Sequence, residues 1–141
     1  MAGLIMDKKD NLYGTTAFGG GSCDCGTVFE VTPSGEESLL YDFGIYTGNG
    51  YYGAYPYAGL IMDTEGNLYG TTYGGGDGEG TVFEVTPSGE ETVLYKFCPQ
   101  QGCKDGANPY ASLIRDKKGN FYSTTGSGGA YGYGTVFKVT P

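Results

Sequence analysis

The chain repeats one sequence unit about every 54 residues, and this repeat is the feature that most restricts its fold. Residues 2–7, Ala-Gly-Leu-Ile-Met-Asp, return unchanged at 58–63 and with two changes at 111–116. The tripeptide Thr-Val-Phe at 27–29 returns at 81–83 and 135–137. A unit that recurs in this way must stack on its neighbours to bury its apolar face.

Within the second copy, four runs of strand-forming residues alternate with turn signals. We predict strands at 59–63, 68–72, 81–86 and 92–97, with Gly, Asp, Asn and Pro in the turns. Because 28 of the 141 residues are glycine and 14 are tyrosine, short strands and tight turns are favoured over long helices. Four antiparallel strands in a unit of this length are typical of a propeller blade.

The sequence therefore predicts an all-β protein of β-propeller-type blades, at 1–57, 58–110 and 111–141. The third blade is incomplete, because it has no counterpart of the strand at 92–97. Closed propellers need about four blades or more. We therefore expect self-association, as a ring or a filament, or further repeats in a longer chain.

A longer signature starts at Asn67. It reads Asn-Leu-Tyr-Gly-Thr-Thr at 67–72, Gly-Gly at 74–75, Gly-Thr-Val-Phe at 80–83, Thr-Pro-Ser-Gly at 86–89 and Asp-Gly-Ala-Asn-Pro at 105–109. This pattern resembles the GloVer (Gloeo/Verruco) tandem repeat of bacterial proteins over essentially the whole chain. The third copy departs from it at Ser123, where the other copies have Gly14 and Gly70.

The resemblance implies an exported, extracellular or cell-surface protein with no established enzymatic activity. The first residues show neither a basic segment nor a signal cleavage site, so localisation rests on the resemblance. We accordingly expect a non-catalytic scaffold or adhesion module.

Composition and charge exclude several other classes. The formal net charge of −8 argues against nucleic-acid partners and anionic membrane surfaces, which bind lysine and arginine. No apolar run approaches the roughly 20 residues of a membrane span. The absence of histidine excludes Ser-His-Asp and Cys-His nucleophiles and histidine-ligated metals.

The acidic residues divide into two groups. Asp7, Asp63 and Asp116 occupy one turn position in every copy, so we predict that they cap turns. A glycan-cleaving enzyme is the third alternative for function, and its carboxylates would come from Asp24, Asp77, Glu79 or Asp105.

The cysteines form two local pairs whose spacings do not match zinc sites. Given the exported family that the chain resembles, Cys98 and Cys103 are candidates for a small disulfide loop. A bridge between Cys23 and Cys25 would be strained, and bridges between the two pairs remain open. No metal or cofactor is expected. Calcium is a weak candidate, since the glycine-rich loop 74–80 does not fit a calcium-binding motif.

One face of the blades is the candidate binding face. The loops after the second and fourth strands, at 17–26, 44–57, 73–80, 98–110 and 126–134, share that face and vary most between copies. Tyrosines suit sugar or protein contacts there, so a carbohydrate-binding propeller is the alternative function, with a surface protein as another possible partner. Tyr57 and Tyr110 are expected to pack under the loops, and the others could equally pack between units. The candidate ligand-binding residues are Tyr46, Tyr51, Tyr52, Tyr55, Tyr73, Asp77, Glu79, Tyr131 and Tyr133.

Overall fold

The computed structural model describes residues 2–21, 23–43, 53–76, 78–99 and 102–141. Within these residues the chain forms strands and no helix, arranged as three four-stranded antiparallel sheets. The first sheet comprises β1 (Ile5–Met6), β2 (Leu12–Thr16), β3 (Thr27–Val31) and β4 (Glu37–Asp42). The second comprises β5 (Ile61–Met62), β6 (Leu68–Thr72), β7 (Thr81–Val85) and β8 (Glu91–Lys96). The third comprises β9 (Ala107–Pro109), β10 (Ile114–Arg115), β11 (Phe121–Ser127) and β12 (Val136–Val139).

The prediction of four-stranded antiparallel blades is confirmed, and the first two sheets share one register. In both, the strands pair in chain order, and a bulge falls at the same place, between Val28 and Phe29 and between Val82 and Phe83. In the second copy, β6 to β8 match the predicted strands to within one residue at each end, whereas the first predicted strand shortens to β5.

The third sheet differs from the prediction. The loop 98–110 is not irregular throughout, because its last residues form β9, where Pro109 pairs with Thr125 and Ala107 with Ser127. This pairing extends β11 into the predicted loop 126–134. The third sheet therefore takes its fourth strand from residues that precede its first turn.

The predicted turn caps are confirmed in all three copies. Asp63 Oδ1 accepts hydrogen bonds from the backbone N–H groups of Glu65 and Asn67, each at 2.9 Å. Its Oδ2 accepts from Nδ2 of Asn67 at 3.1 Å and from the hydroxyl of Tyr69 at 2.9 Å. Burial alone would raise the pKa of Asp63, but these hydrogen bonds outweigh it and hold the pKa below its ordinary value.

The same contacts recur around Asp7 and Asp116. At Asp116, the hydrogen bond from the Asn120 amide leads the shift of the pKa to about 2. The recurring carboxylates are thus committed to the structure of the turns.

The hydrophobic core lies between successive sheets rather than within any one of them. One cluster joins Val28 and Phe43 of the first copy to Leu60, Leu68, Phe83 and Val85 of the second. A second cluster joins Tyr69, Val82 and Phe97 to Leu113, Phe121 and Val139 of the third. The rings of Phe43 and Phe83 meet edge to face at 5.1 Å and 70°, and Phe97 and Phe137 repeat this contact at 4.8 Å and 67°. Each sheet is therefore stable only against its neighbours.

Both disulfides are local. Cys98 pairs with Cys103, as proposed, and bridges between the two pairs do not form. Cys23, for which bridges within and between the pairs were left open, pairs with Cys25. The reason is the backbone of Asp24, whose φ of 54° turns the chain back and brings the two Cα atoms within 5.2 Å.

Candidate functional site

Three of the predicted ligand-binding residues lie together on the loop face. Tyr55, Tyr73 and Glu79 line a depression of about 430 Å³, together with Asn108 and the Cys23–Cys25 bridge. Tyr131 and Tyr133 lie apart from it, exposed on the loop that leads into β12. The other candidates, Tyr46, Tyr51, Tyr52 and Asp77, are outside the described residues.

Five aromatic rings form a continuous aromatic row beside this depression. Tyr57 is its centre, with its ring centroid 5.8 Å from Tyr73, 5.7 Å from Tyr110 and 6.4 Å from Tyr55. Phe18 extends the row at 5.7 Å from Tyr55, and Tyr73 and Tyr110 meet at 4.9 Å. The row thus spans four loops, two from the first copy and two from the second.

The two ends of the aromatic row are open to solvent. Phe18 is 58% exposed and Tyr110 is 53% exposed. The expectation that Tyr110 packs under the loop is therefore wrong, because its contacts with Tyr57 and Tyr73 leave about half of it exposed. Sequence reasoning missed Phe18, although its place just after the paired threonines of β2 puts it on the variable loop face.

Two of the carboxylates named for a glycan-cleaving enzyme are held by hydrogen bonds from groups near them in the chain. Asp24 accepts a hydrogen bond from Gly19 N–H at 2.5 Å, within its own loop. Asp105 accepts from the Tyr95 hydroxyl at 2.9 Å and from Cys98 N–H at 3.1 Å, so it holds the turn that contains the second disulfide. Among the described residues, no cluster of three or more Cys, Asp or Glu side chains could hold a metal ion.

A larger depression, of about 820 Å³, lies on the opposite face, where the short turns are. Its polar lining includes Asp7, Asp63 and Tyr13. These are the groups whose hydrogen bonds hold the turns, with Tyr13 donating to Asp7 and Glu30. They are already paired within the protein, which makes this face a weaker candidate for ligand binding.

The two ends of the stack of sheets expose residues that are buried at the internal junctions. We call the surface of a sheet that packs on the next copy its forward face, and the opposite surface its rear face. Val28 and Val82 lie on forward faces and are completely buried, whereas Val136, at the same position of the third sheet, is 81% exposed. On the rear faces, Leu60 is 3% exposed and the equivalent Leu4 of the first sheet is 57% exposed. The forward face of the third sheet and the rear face of the first therefore carry the two sets of side chains that meet at the internal junctions.

Comparison with known proteins identifies the family. The family model described as the Gloeobacter/Verrucomicrobia repeat matches residues 1–141. The chain belongs to this repeat family. The resemblance inferred from the strand and turn motifs is thus confirmed over the full length of the Gloeobacter/Verrucomicrobia repeat chain. No curated protein matches it.

A similar solved structure supports the propeller architecture. It is a protein described provisionally as a gluconolactonase, with a TM-score of 0.57 and 16% sequence identity. The match covers 97% of the Gloeobacter/Verrucomicrobia repeat chain and 48% of the other chain, so the repeat chain spans about half of that protein. At this identity the likeness shows the fold alone, which is that of propeller-type blades.

Proposed function

We propose that this protein is a non-catalytic repeat module of an extracellular or cell-surface scaffold, and that it binds further repeats head to tail through its two end faces. The observation that carries the proposal is the exposure of Val136, 81%, against complete burial of Val28 and Val82 at the same position. Burying one such side chain fully stabilises an interface by about 1.5–3 kcal/mol. The apolar ends therefore favour a partner with the shape of another repeat.

The internal junctions support this reading because they use the same residues twice. The contact of Phe43 with Phe83 is repeated by Phe97 with Phe137, so a junction is a reproducible unit of recognition. A forward face and a rear face differ, so joining them is heterologous, and such contacts build rings or open filaments.

Two further features support the remaining parts of the proposal. Disulfides persist in oxidising compartments, so the two bridges favour an exported protein. Asp24 accepts a hydrogen bond within its own loop, and Asp105 accepts from its own loop and from Tyr95 of the adjoining β8, which favours a structural role for both over a catalytic one.

Head-to-tail binding predicts a specific result with two variants. Leu4→Glu places a charge on the rear face of the first sheet, and Val136→Glu places one on the forward face of the third. Each variant alone should stay monomeric, because each junction needs one forward and one rear face. An equimolar mixture should form a 1:1 dimer, since the forward face of the first variant and the rear face of the second are intact. Sedimentation velocity would measure the three masses, together with the concentration-dependent association expected of the unmodified chain.

Thr64→Glu is the matched control for this experiment. Thr64 is exposed in a turn of the second sheet, at the position where the other copies have Lys8 and Lys117, so the added charge should leave association unchanged. If the mixture stays monomeric while the unmodified chain associates, the contact is not head to tail. If the unmodified chain itself stays monomeric at high concentration, the end faces do not bind copies of this chain.

The second candidate function is carbohydrate binding, and the aromatic row favours it. Exposed aromatic rings can stack on the apolar faces of sugar rings, and Glu79 and Asn108 add polar groups at the adjoining depression. Phe18 and Tyr110 leave open surface at both ends of the row, where a chain of sugars could continue.

A panel of immobilised plant, fungal and bacterial glycans would test this candidate. We expect Tyr110→Ala to weaken binding about tenfold, through the loss of about 1.4 kcal/mol of stacking. Tyr131→Ala is the control, because Tyr131 is exposed on the same loop face but is outside the aromatic row. Equal losses for both variants, or retention of all binding by Tyr110→Ala, would contradict a site at the row.

A further inference from the structure

Each internal junction contains a short connection of sequence Ala-x-Pro-Tyr. The two connections are residues 54–57 and 107–110. They bind the sheet that follows them, since Ala54 exchanges hydrogen bonds with Gly74 at 2.9 and 3.0 Å, and β9 pairs with β11. Each connection thus acts as an edge strand of the next copy.

The same connections also bind the sheet that precedes them. The N–H group of Tyr55 donates to the carbonyl oxygen of Cys25, and the N–H group of Asn108 donates to that of Glu79, each at 2.7 Å. The residues Tyr55 and Asn108 have φ values of 60° and 55°, a left-handed conformation that turns these N–H groups backward. Each four-residue connection therefore joins two sheets.

A glycine receives the proline at each junction. A Cβ atom on Gly26 would lie 2.7 Å from Cδ of Pro56, and one on Gly80 would lie 2.8 Å from Cδ of Pro109. Only glycine allows the ring to approach so closely, and the φ values of 96° and 103° also require it. These glycines are the sockets for the connections.

A threonine completes each junction. Thr15 Oγ1 donates to the carbonyl oxygen of Ala58 at 3.2 Å, and Thr71 Oγ1 donates to that of Ala111 at 3.3 Å. The acceptor is in both cases the residue that follows Ala-x-Pro-Tyr. The preceding sheet therefore forms hydrogen bonds with the backbone of each connection at two points, one N–H group within it and one carbonyl oxygen directly after it.

The third copy carries the same acceptor groups, and they face solvent. Tyr133 corresponds to Cys25 and Glu79 in the repeat, and Gly134 corresponds to Gly26 and Gly80. Gly134 has the same left-handed backbone, with φ of 95°, although no proline lies against it. Tyr133 is 92% exposed, and the threonine of the set, Thr124, is exposed as well.

We infer that Thr124, Tyr133, Gly134 and Val136 form an acceptor site for an Ala-x-Pro-Tyr segment that precedes the first strand of a further repeat. In this site the carbonyl oxygen of Tyr133 accepts a hydrogen bond from the N–H group of the residue between the alanine and the proline, and the proline ring packs on Gly134. Thr124 Oγ1 donates a hydrogen bond to the carbonyl oxygen of the residue that follows the tyrosine of the segment. The inference rests on the proposed head-to-tail function, and it names the element that makes such a junction tight.

The partner that fills this acceptor is a repeat with the segment at its leading edge, whereas an unaltered copy of residues 1–141 would meet the end through the apolar faces alone. Both Ala-x-Pro-Tyr segments within these residues already close internal junctions. The recognition resembles strand addition, in which main-chain hydrogen bonds supply affinity and small sockets supply specificity.

An extended chain tests the acceptor. Gly-Ala-Asn-Pro-Tyr would be placed ahead of Ala2 in the Val136→Glu chain, in place of Met1, which repeats the natural order of 106–110 before Ala111. The measured quantity is the Kd of this extended chain for the Leu4→Glu chain, whose acceptor site is intact. We expect a Kd at least about tenfold lower than that of the unextended Val136→Glu chain, because the junction gains hydrogen bonds and a buried proline. An extension of the same five residues in the order Tyr-Pro-Ala-Asn-Gly should give no gain.

Amide NMR spectra of the labelled Leu4→Glu chain locate the contact. The extended partner should shift the signals of Tyr133, Gly134 and Thr124, and should leave Gly26 and Gly80 unchanged because their sockets are filled. Equal Kd values for the natural and scrambled extensions would overturn the acceptor while leaving head-to-tail binding intact. If the extended Val136→Glu chain bound the Leu4→Glu chain and the unextended one did not, the acceptor would be supported. The same result would contradict the proposal that the apolar end faces alone are enough for head-to-tail binding. Failure of every pair to bind would overturn both.

Discussion

Replacing Phe83 by alanine is expected to lower the free energy of unfolding by about 3–5 kcal/mol. The Phe83 ring is completely buried, packs against Phe43 at 5.1 Å and fills the space above Gly70, where a Cβ atom would lie 2.6 Å from it. Removing it leaves a cavity between the first two sheets that rigid backbones on both sides cannot close. Urea unfolding followed by circular dichroism would measure the loss.

Phe29→Ala is the matched control. Phe29 occupies the same position of the first sheet and packs on Gly14 in the same way, but it is only partly buried, because no sheet in the described structure covers that rear face. Its loss should be about 1–2 kcal/mol at concentrations where the chain is monomeric. If the two variants lost equal stability, the stacking of one sheet on the next would not be what holds Phe83.

Glu91→Gln is expected to stabilise the protein at alkaline pH. One carboxylate oxygen of Glu91, Oε1, is buried and has no hydrogen-bond partner among the described residues. Burial raises the pKa of Glu91 to about 7, and a hydrogen bond with Tyr41 of the first copy offsets only part of this shift. Because the folded pKa is above the unfolded value of 4.5, folding favours the neutral acid, and stability is lost as the pH rises from about 4.5 to 7.

The glutamine variant carries no charge to bury, so its advantage should grow with pH. We expect a gain of about 1–2 kcal/mol at pH 8.5, allowing for the solvent that reaches part of the side chain, and a much smaller gain at pH 5. Glu37→Gln is the control, since Glu37 begins β4 as Glu91 begins β8 but is exposed. A gain that is independent of pH, or the same for both variants, would show that Glu91 does not titrate between the sheets.

Both predictions depend on contacts between sheets, whereas other features of the fold follow from the local sequence. The strands around Leu68–Thr72 and Thr81–Val85 were predictable because alternating β-formers and glycine-rich turns act within a few residues of chain. The turn caps at Asp7, Asp63 and Asp116 were predictable for the same reason. The family followed from these motifs as well.

The candidate site was predictable only in outline. Tyr55, Tyr73 and Glu79 lie together on the loop face, and whether they bind a ligand stays a prediction. The aromatic row adds Phe18, Tyr57 and Tyr110, whose rings meet through the stacking of separate copies. β9 was missed because Ala-Asn-Pro is a poor strand sequence, and its pairing with β11 comes from tertiary contact.

The sequence by itself determined the repeat, the antiparallel blades, the turn chemistry and the family, because each depends on short-range backbone preferences repeated in register. Only the tertiary structure decided which members of equivalent sets are buried. Val28 and Val136, Phe83 and Phe29, and Glu91 and Glu37 have matching local sequences, yet their exposures differ because burial depends on whether a neighbouring sheet covers that face. The end faces that we propose as binding surfaces differ from the internal junctions for this reason.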